Sequence, residues 1–208
     1  MVYPANAPAL PDPAPPDVLA WKKEQRQRLL QARQAIAAAD RQAWNQAISQ
    51  HLQTHFPQWA TMTLGIYWPY LGEFDPRFVA AHFRALGGKT ALPEVVQKAA
   101  PLRFKRWWPG VAMAPGVYDI PVPQGTETVQ PDALLIPPVG FDAAGYRIGY
   151  GGGFYDRTLA AASPRPLTLG VAYEISRLPT IHPQAHDQPV DFLVTENGVF
   201  PTGKTLRN

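Results

Sequence analysis

Pro137-Pro138-Val139-Gly140-Phe141-Asp142-Ala143-Ala144-Gly145-Tyr146-Arg147-Ile148-Gly149-Tyr150-Gly151-Gly152-Gly153-Phe154-Tyr155-Asp156-Arg157 is the stretch on which the reading of the whole chain turns. The apolar run Ala133-Leu134-Leu135-Ile136 just before it reads as a buried strand that ends at the two prolines. A helix is expected just after it, from about Phe154 to Ala162. Between them four glycines, at 149, 151, 152 and 153, fall within five residues. Strand, glycine-rich turn and helix start together aim backbone N–H groups, and the positive end of a helix dipole, at an anion. Residues without side chains let the backbone take positive φ and let a ligand come close to it.

Two familiar phosphate loops are excluded by spacing. The pattern GxGxxG needs glycine at 154 or 156, where Phe154 and Asp156 stand. GxxxxGK[ST] nearly occurs at Gly88-Lys89-Thr90, but its first glycine would fall on Phe83. A glycine-rich hairpin or a surface turn is the plainer alternative. It gives no reason for Asp156 and Arg157 to open a helix behind the aromatic Phe154 and Tyr155.

Working outward, 208 residues suit one domain with a substantial core. The absence of cysteine excludes disulfides, thiolate metal sites and a cysteine nucleophile. A net charge of +3 suits an anionic ligand, and the cations are too scattered to argue for nucleic acid. The first 20 residues carry no Lys or Arg and no unbroken apolar run, so neither a secretory signal nor a transit peptide is expected. No segment is long and apolar enough for a membrane span, and a soluble cytoplasmic protein is the expectation.

Residues 1–16, rich in Pro and Ala, read as a mobile extended arm. Asp17 is placed to cap a helix running to about Ala38, with Val18, Trp21, Leu29 and Ile36 toward a core. Lys22, Lys23, Arg26, Arg28 and Arg33 form its basic face, on which Lys22 and Arg26 project together one turn apart. Asp40 is expected to cap a second helix with an apolar stripe through Ala43, Trp44, Ala47, Ile48 and Leu52. His51 and His55 share a face there, but the glutamate of HExxH is missing and surface histidines are the reading.

Met62 to Tyr67 reads as a strand leading through Trp68 and Glu73 to Asp75-Pro76, which opens a helix with Phe78, Val79, Phe83 and Leu86 inward. Trp68 and Glu73 thus stand at a strand end, where a flat polar heterocycle is often bound. Core packing for Trp68 and an exposed loop carboxylate for Glu73 remain open readings. Further strands are expected at Lys89–Leu92, Leu102–Trp108, Leu167–Ala172 and Asp191–Thr195, with a long loop from Pro109 to Gln130. Strands alternating with helices imply one layered α/β domain with a largely parallel sheet, its glycine turn at the carboxyl end of a central strand.

Val139-Gly140-Phe141-Asp142 followed by Gly145 to Arg157 resembles the signature of the 5-formyltetrahydrofolate cyclo-ligase (methenyltetrahydrofolate synthetase) family. The likeness runs from about Trp21 to Val199. It takes in the basic first helix, Gly72-Glu73, Pro131 to Pro137, Leu178-Pro179, His186-Asp187, Val190-Asp191 and Thr195-Glu196. The resemblance implies a single three-layer α/β/α domain over residues 17–200, on a scaffold like that of sugar-phosphate isomerases and CoA transferases, with a tail over 201–208. It also implies ATP-dependent closure of the 5-formyl group of 5-formyltetrahydrofolate onto N10, giving 5,10-methenyltetrahydrofolate, ADP and phosphate.

By the same resemblance Lys22 and Arg26 hold nucleotide phosphates, and Arg147, Ile148, Gly149, Tyr150, Gly151, Gly152, Gly153, Phe154 and Tyr155 cradle the polyphosphate. Trp68, Glu73 and the loop from Tyr150 to Phe154 contact the folate, and Asp156 and Asp187 hold Mg2+. Arg147, Tyr155 and Asp156 are the implied catalytic groups. The implied partner is a small molecule, 5-formyltetrahydrofolate with or without a polyglutamate tail, bound by a monomer with no membrane or nucleic-acid partner. Some relatives carry cations inside the loop where this chain has Tyr150 and Gly152, which leaves more of the phosphate binding to backbone N–H groups and Arg147. Two other readings stay open. One is another enzyme on a similar scaffold, a sugar-phosphate isomerase or CoA transferase. The other is a non-catalytic binder of folate or nucleic acid.

Overall fold

A computed structural model describes residues 14–203; the arm expected over residues 1–16 and the tail from 201 lie mostly outside them. Helix α1 (Val18–Gln34) begins where Asp17 accepts a hydrogen bond from the Ala20 N–H at 2.9 Å, and α2 (Ala38–His55) follows after a short turn. Asp40 lies inside the first turn of α2 and Ala37 is its cap, so Asp40 meets the helix dipole instead of capping it. Next come β1 (Thr63–Gly65) and α3 (Arg77–Ala85), then β2 (Lys89–Glu94), β3 (Arg103–Arg106), β4 (Met113–Pro115), β5 (Pro121–Pro123) and β6 (Thr128–Val129). The chain goes on through β7 (Ala133–Ile136), β8 (Gly140–Phe141), β9 (Arg147–Ile148), α4 (Phe154–Ala161), β10 (Leu167–Val171), β11 (Phe192–Thr195) and β12 (Gly198–Pro201).

Eight strands form one sheet in the order β12-β11-β10-β7-β1-β2-β3-β6. The five from β11 to β2 run parallel, while β12, β3 and β6 pair antiparallel to their neighbours. All four residues of β7 are buried, as a central strand covered on both faces requires. Alternation sends Ala133 and Leu135 into a core with Ile48 and Leu52 of α2 and Phe83 of α3. Leu134 and Ile136 enter a second core with Leu159 of α4 and Phe141. Helices therefore cover both faces, and the architecture is three layers. α1 packs apart from these, its Leu29 clustering with Val139, Ile148, Leu178 and Ile181.

Two expectations about the core change. Phe78 is 73% exposed and Leu86 57% exposed, whereas Val79, Ala80 and Phe83 are the buried residues of α3. At about 100° per residue, Phe78 and its neighbour Val79 cannot share a narrow inward face. The edge strand β12, unforeseen from the sequence, carries order past Val199: Pro201 ends it and the following Thr202 is fully buried, its hydroxyl donating to Val190 O at 2.6 Å. No helix among the described residues is long and apolar enough to cross a membrane.

Candidate active site

The parallel strands β1 and β7 are neighbours, yet the chain leaves β1 toward β2 on one side and β7 toward β10 on the other. Such a reversal opens a crevice at the carboxyl ends of the two strands. A cavity of about 630 Å3 lies there, lined by Tyr67, Trp68 and Glu73 after β1, by Ile136 and Pro137 at the end of β7, and by the loop from Gly149 to Asp156.

The glycine loop does not follow β7 directly. A hairpin intervenes, in which Gly140 pairs with Ile148 and Phe141 with Arg147. Its turn is held by the buried Asp142, whose Oδ1 accepts from the N–H groups of Ala144 and Tyr146, both at 3.1 Å, and whose Oδ2 accepts from Ile181 N–H. Gly145, at φ +89°, has no room for a side chain: a Cβ would stand 2.7 Å from Thr202 and 2.8 Å from Val190 O. The Phe141-Asp142 and Gly145 part of the motif is thus an anchoring device. It presents Arg147 and the glycines at the mouth of the crevice.

Residues 149–153 then run into α4 with Gly151 at φ +96° and Gly153, the α4 cap, at φ +62°. Both values are in the left-handed region that glycine adopts without strain. No side chain caps α4, so its first N–H groups remain open to an acceptor from outside the helix.

The residues expected in the site divide into two groups. Trp68, Glu73, Arg147, Tyr150, the glycines from 149 to 153, Phe154, Tyr155 and Asp156 all line the cavity. Ile148 is buried behind the loop with Leu29 of α1. Lys22, Arg26 and Asp187 do not line it. Arg26 instead donates through Nε to Gly149 O at 2.7 Å, and a Cβ on Gly151 would lie 3.7 Å from its guanidinium. Lys22 Nζ is 2.8 Å from Asp187 Oδ2. Of the two α1 cations, Arg26 meets the glycine loop, and Lys22 is ion-paired with Asp187 on the segment beside it.

Arg147 is buried, which lowers its pKa; its Nη2 donates to Asp156 Oδ1 at 2.9 Å and its Nη1 donates to Gln188 O. Asp156 Oδ1 also accepts from Gln188 N–H at 3.1 Å. Asp156 therefore joins α4 to the segment carrying Asp187 as well as facing the cavity. Among the described residues no three His, Cys, Asp or Glu side chains form a ready-made metal cage. One or two carboxylates beside a phosphate site are the donor set that Mg2+ accepts, because it keeps water and phosphate oxygens as its other ligands.

On the cavity wall that follows β1, Trp68 meets Trp107 edge-on with 6.3 Å between ring centroids, and the Arg77 guanidinium covers one of its faces at 4.6 Å. Glu73 is buried, and burial pushes its carboxyl up to about 7 despite hydrogen bonds from the Tyr150 hydroxyl at 2.6 Å and the Tyr70 N–H at 2.8 Å. Burial, with the Glu73 charge adding to it, raises the hydroxyls of Tyr150 and Tyr155 well above the usual tyrosine range. Sequence reasoning missed Arg33, grouped there with a solvated basic face but buried here against Glu73 at 3.8 Å. It also missed Lys98 and Tyr118, which line the cavity from loops flanking β3 and β5. Their only signal was position between short strands, which names no partner.

The sequence model of the 5-formyltetrahydrofolate cyclo-ligase family matches residues 18–196. The chain is similar to the 5-formyltetrahydrofolate cyclo-ligase of Mycolicibacterium smegmatis, 32% identical over 118 residues that cover 53% of this chain and 61% of that protein. It is similar over a longer span to the Escherichia coli K12 enzyme of the same name, 27% identical over 82% of this chain and 97% of that one. Among solved structures, the Aquifex aeolicus 5,10-methenyltetrahydrofolate synthetase superposes with a TM-score of 0.76 at 28% identity, covering 90% of this chain and 93% of that one.

Proposed function

The chain belongs to the 5-formyltetrahydrofolate cyclo-ligase family, and we propose that its glycine loop joins an ATP site to a folate site and so carries the family's ligase reaction. The observation behind this reading is that one loop is shared by two environments. Residues 149–156 line the 630 Å3 cavity that holds Glu73 and Trp68, and Gly149 accepts from Arg26 of the basic first helix.

A formyl oxygen is a poor leaving group. It first attacks the γ-phosphorus of ATP, and ADP leaves. N10 then attacks the activated carbon, phosphate departs with the former formyl oxygen, and N10 loses its proton. These steps demand position and charge neutralisation more than a protein nucleophile, consistent with the absence of cysteine. Lys22, Arg26 and the open N–H groups of residues 149–155 hold the polyphosphate, and Arg147 faces the charge that develops on the transferred group. Tyr155 closes the cavity beside it. Glu73 accepts from the donor edge of the pterin, and Trp68 forms a wall of the folate cavity. Asp156 and Asp187 are the carboxylates that would hold Mg2+. Such an ion, when bound, would neutralise charge on the phosphate oxygens. The substrate in this reading is 5-formyltetrahydrofolate, with or without a polyglutamate tail, and the protein acts on it as a monomer.

The test is to mix purified protein, 5-formyltetrahydrofolate, ATP and Mg2+ and follow the ultraviolet absorbance of the methenyl product, omitting each component in turn. Product only in the complete mixture is expected. Turnover without nucleotide would point instead to isomerase or transferase chemistry, and no turnover in any mixture would remove the assignment.

A further inference from the structure

Arg33, in the last turn of α1, has no part in the scheme above, yet it is 3% exposed and lies against the folate wall. Its Nε donates to Leu71 O at 3.0 Å and its Nη2 donates to the Tyr150 hydroxyl oxygen at 2.6 Å. The Tyr150 hydroxyl in turn donates to Glu73 Oε1 at 2.6 Å. A guanidinium only donates, an ionised carboxylate only accepts, and a phenol does both. With Glu73 ionised, the chain of bonds runs one way, from Arg33 through Tyr150 to Glu73.

Each end of this chain is held from elsewhere. Arg41 of α2 donates through Nη2 to the carbonyls of Arg33, Gln34 and Ile36, which secures the C-terminal end of α1. The other Glu73 oxygen accepts from Tyr70 N–H. Between them Leu71 takes φ +47°, a left-handed conformation that persists in a non-glycine residue only when its surroundings dictate it. Tyr150 itself is 43% exposed and lines the cavity, so its ring needs no buried arginine for packing. Buried ion pairs contribute little net stability compared with apolar packing, and their better-attested use is to specify geometry.

We propose that Arg33 is a positioning residue acting through the Tyr150 hydroxyl: the two orient the Glu73 carboxylate toward a folate in the cavity and tie the glycine loop to the folate wall. This rests on the folate reading of the cavity. Glu73 has two oxygens already assigned by Tyr150 and Tyr70, so the lone pairs left to a ligand point in a fixed direction. Losing the phenol hydroxyl frees the carboxylate to rotate and frees the loop at Tyr150, without touching the bonds of Arg26 or Arg147.

The experiment measures 5-formyltetrahydrofolate affinity by calorimetry, together with KM, kcat and melting temperature, for wild type, Tyr150→Phe, Arg33→Gln and the double variant. Tyr150→Phe should raise the folate Kd and KM by about tenfold, the loss of one hydrogen bond to a charged group. Its KM for ATP should change much less than its folate Kd, since the substitution keeps the Tyr150 backbone N–H offered to the polyphosphate and removes only the side-chain hydroxyl bonded to Glu73. Arg33→Gln should weaken folate at least as much, and the double variant should be no worse than Arg33→Gln alone, because both changes cut one chain of bonds. An unchanged folate affinity in Tyr150→Phe, or effects that add, overturns the proposal and leaves Arg33 a structural residue that moves only the melting temperature. Should Arg33→Gln fail to fold, Arg33→Lys takes its place, since lysine keeps the charge without the planar fork. A wild-type protein that binds no folate sinks the function and this inference together; an active wild type with a silent Tyr150→Phe sinks the inference alone.

Discussion

Glu73 has three neighbours that favour its charge, yet its carboxyl rises from an ordinary 4.5 to about 7, with burial as the largest cause. Desolvation outweighs the hydrogen bonds of Tyr150 and Tyr70 and the nearby Arg33. The consequence for stability has a definite sign. Between pH 4.5 and about 7 the folded protein holds a proton on Glu73 that the unfolded chain releases. The contribution is therefore complete below pH 4.5 and is lost as pH rises through about 7. In urea melts, the stability of Glu73→Gln relative to wild type should grow by about 3 kcal/mol across that window, whatever its value at the acid end. A difference that stays flat with pH would show that Glu73 titrates as an ordinary exposed glutamate. The same variant should also weaken folate binding, since an amide cannot accept at both of the former carboxylate oxygens.

At the scale of elements, the hairpin of β8 and β9 and the helix α4 hold the glycine loop between two fixed ends. Within it the glycines differ in what they tolerate. Gly149 has open space around its missing Cβ, whereas a Cβ on Gly152 would lie 2.5 Å from the Phe154 ring. Gly151, at φ +96°, has room but not the conformation. Gly151→Ala should accordingly destabilise the loop by about 1–2 kcal/mol. Gly152→Asp should displace Phe154 and add charge repulsion, lowering kcat/KM for ATP by about a hundredfold. Steady-state kinetics with ATP varied at saturating folate decide the second point. Wild-type nucleotide dependence in Gly152→Asp would count against the cradle.

Over the whole molecule, the proposed scheme assigns folate to the cavity at the junction of β1 and β7 and the nucleotide phosphates to the basic helix beside the loop. A ligand that binds only the folded state stabilises it by mass action, about 2.7 kcal/mol at a hundred times its Kd. Mg-ATP should therefore raise the melting temperature of wild type, and Lys22→Ala with Arg26→Ala should abolish that rise. The folate-induced rise should persist in the same double variant, because neither residue lines the cavity. Loss of both rises together would mean that Lys22 and Arg26 support the fold and not the nucleotide.

Much of this was readable in the letters. The unbroken apolar run 133–136, the glycines at 149 and 151–153 and the Asp17 cap are local signals, because period, backbone freedom and capping depend on near neighbours. They were enough for a layered α/β domain with its loop at a strand end, and the family resemblance supplied the chemistry. The edge strand β12, the hairpin inside the motif and the face of Phe78 depended on which surfaces meet, which no short window contains. Arg33 shows the limit most plainly. Along α1 it is one cation among five, of which Lys23 and Arg28 are exposed, and only the packing of α1 against the loops at 70–73 and 150 buries it beside Glu73. Local pattern fixes the main helices, the central strand and the glycine loop; contacts between distant segments decide which charges are desolvated and paired, because burial is a property of those contacts.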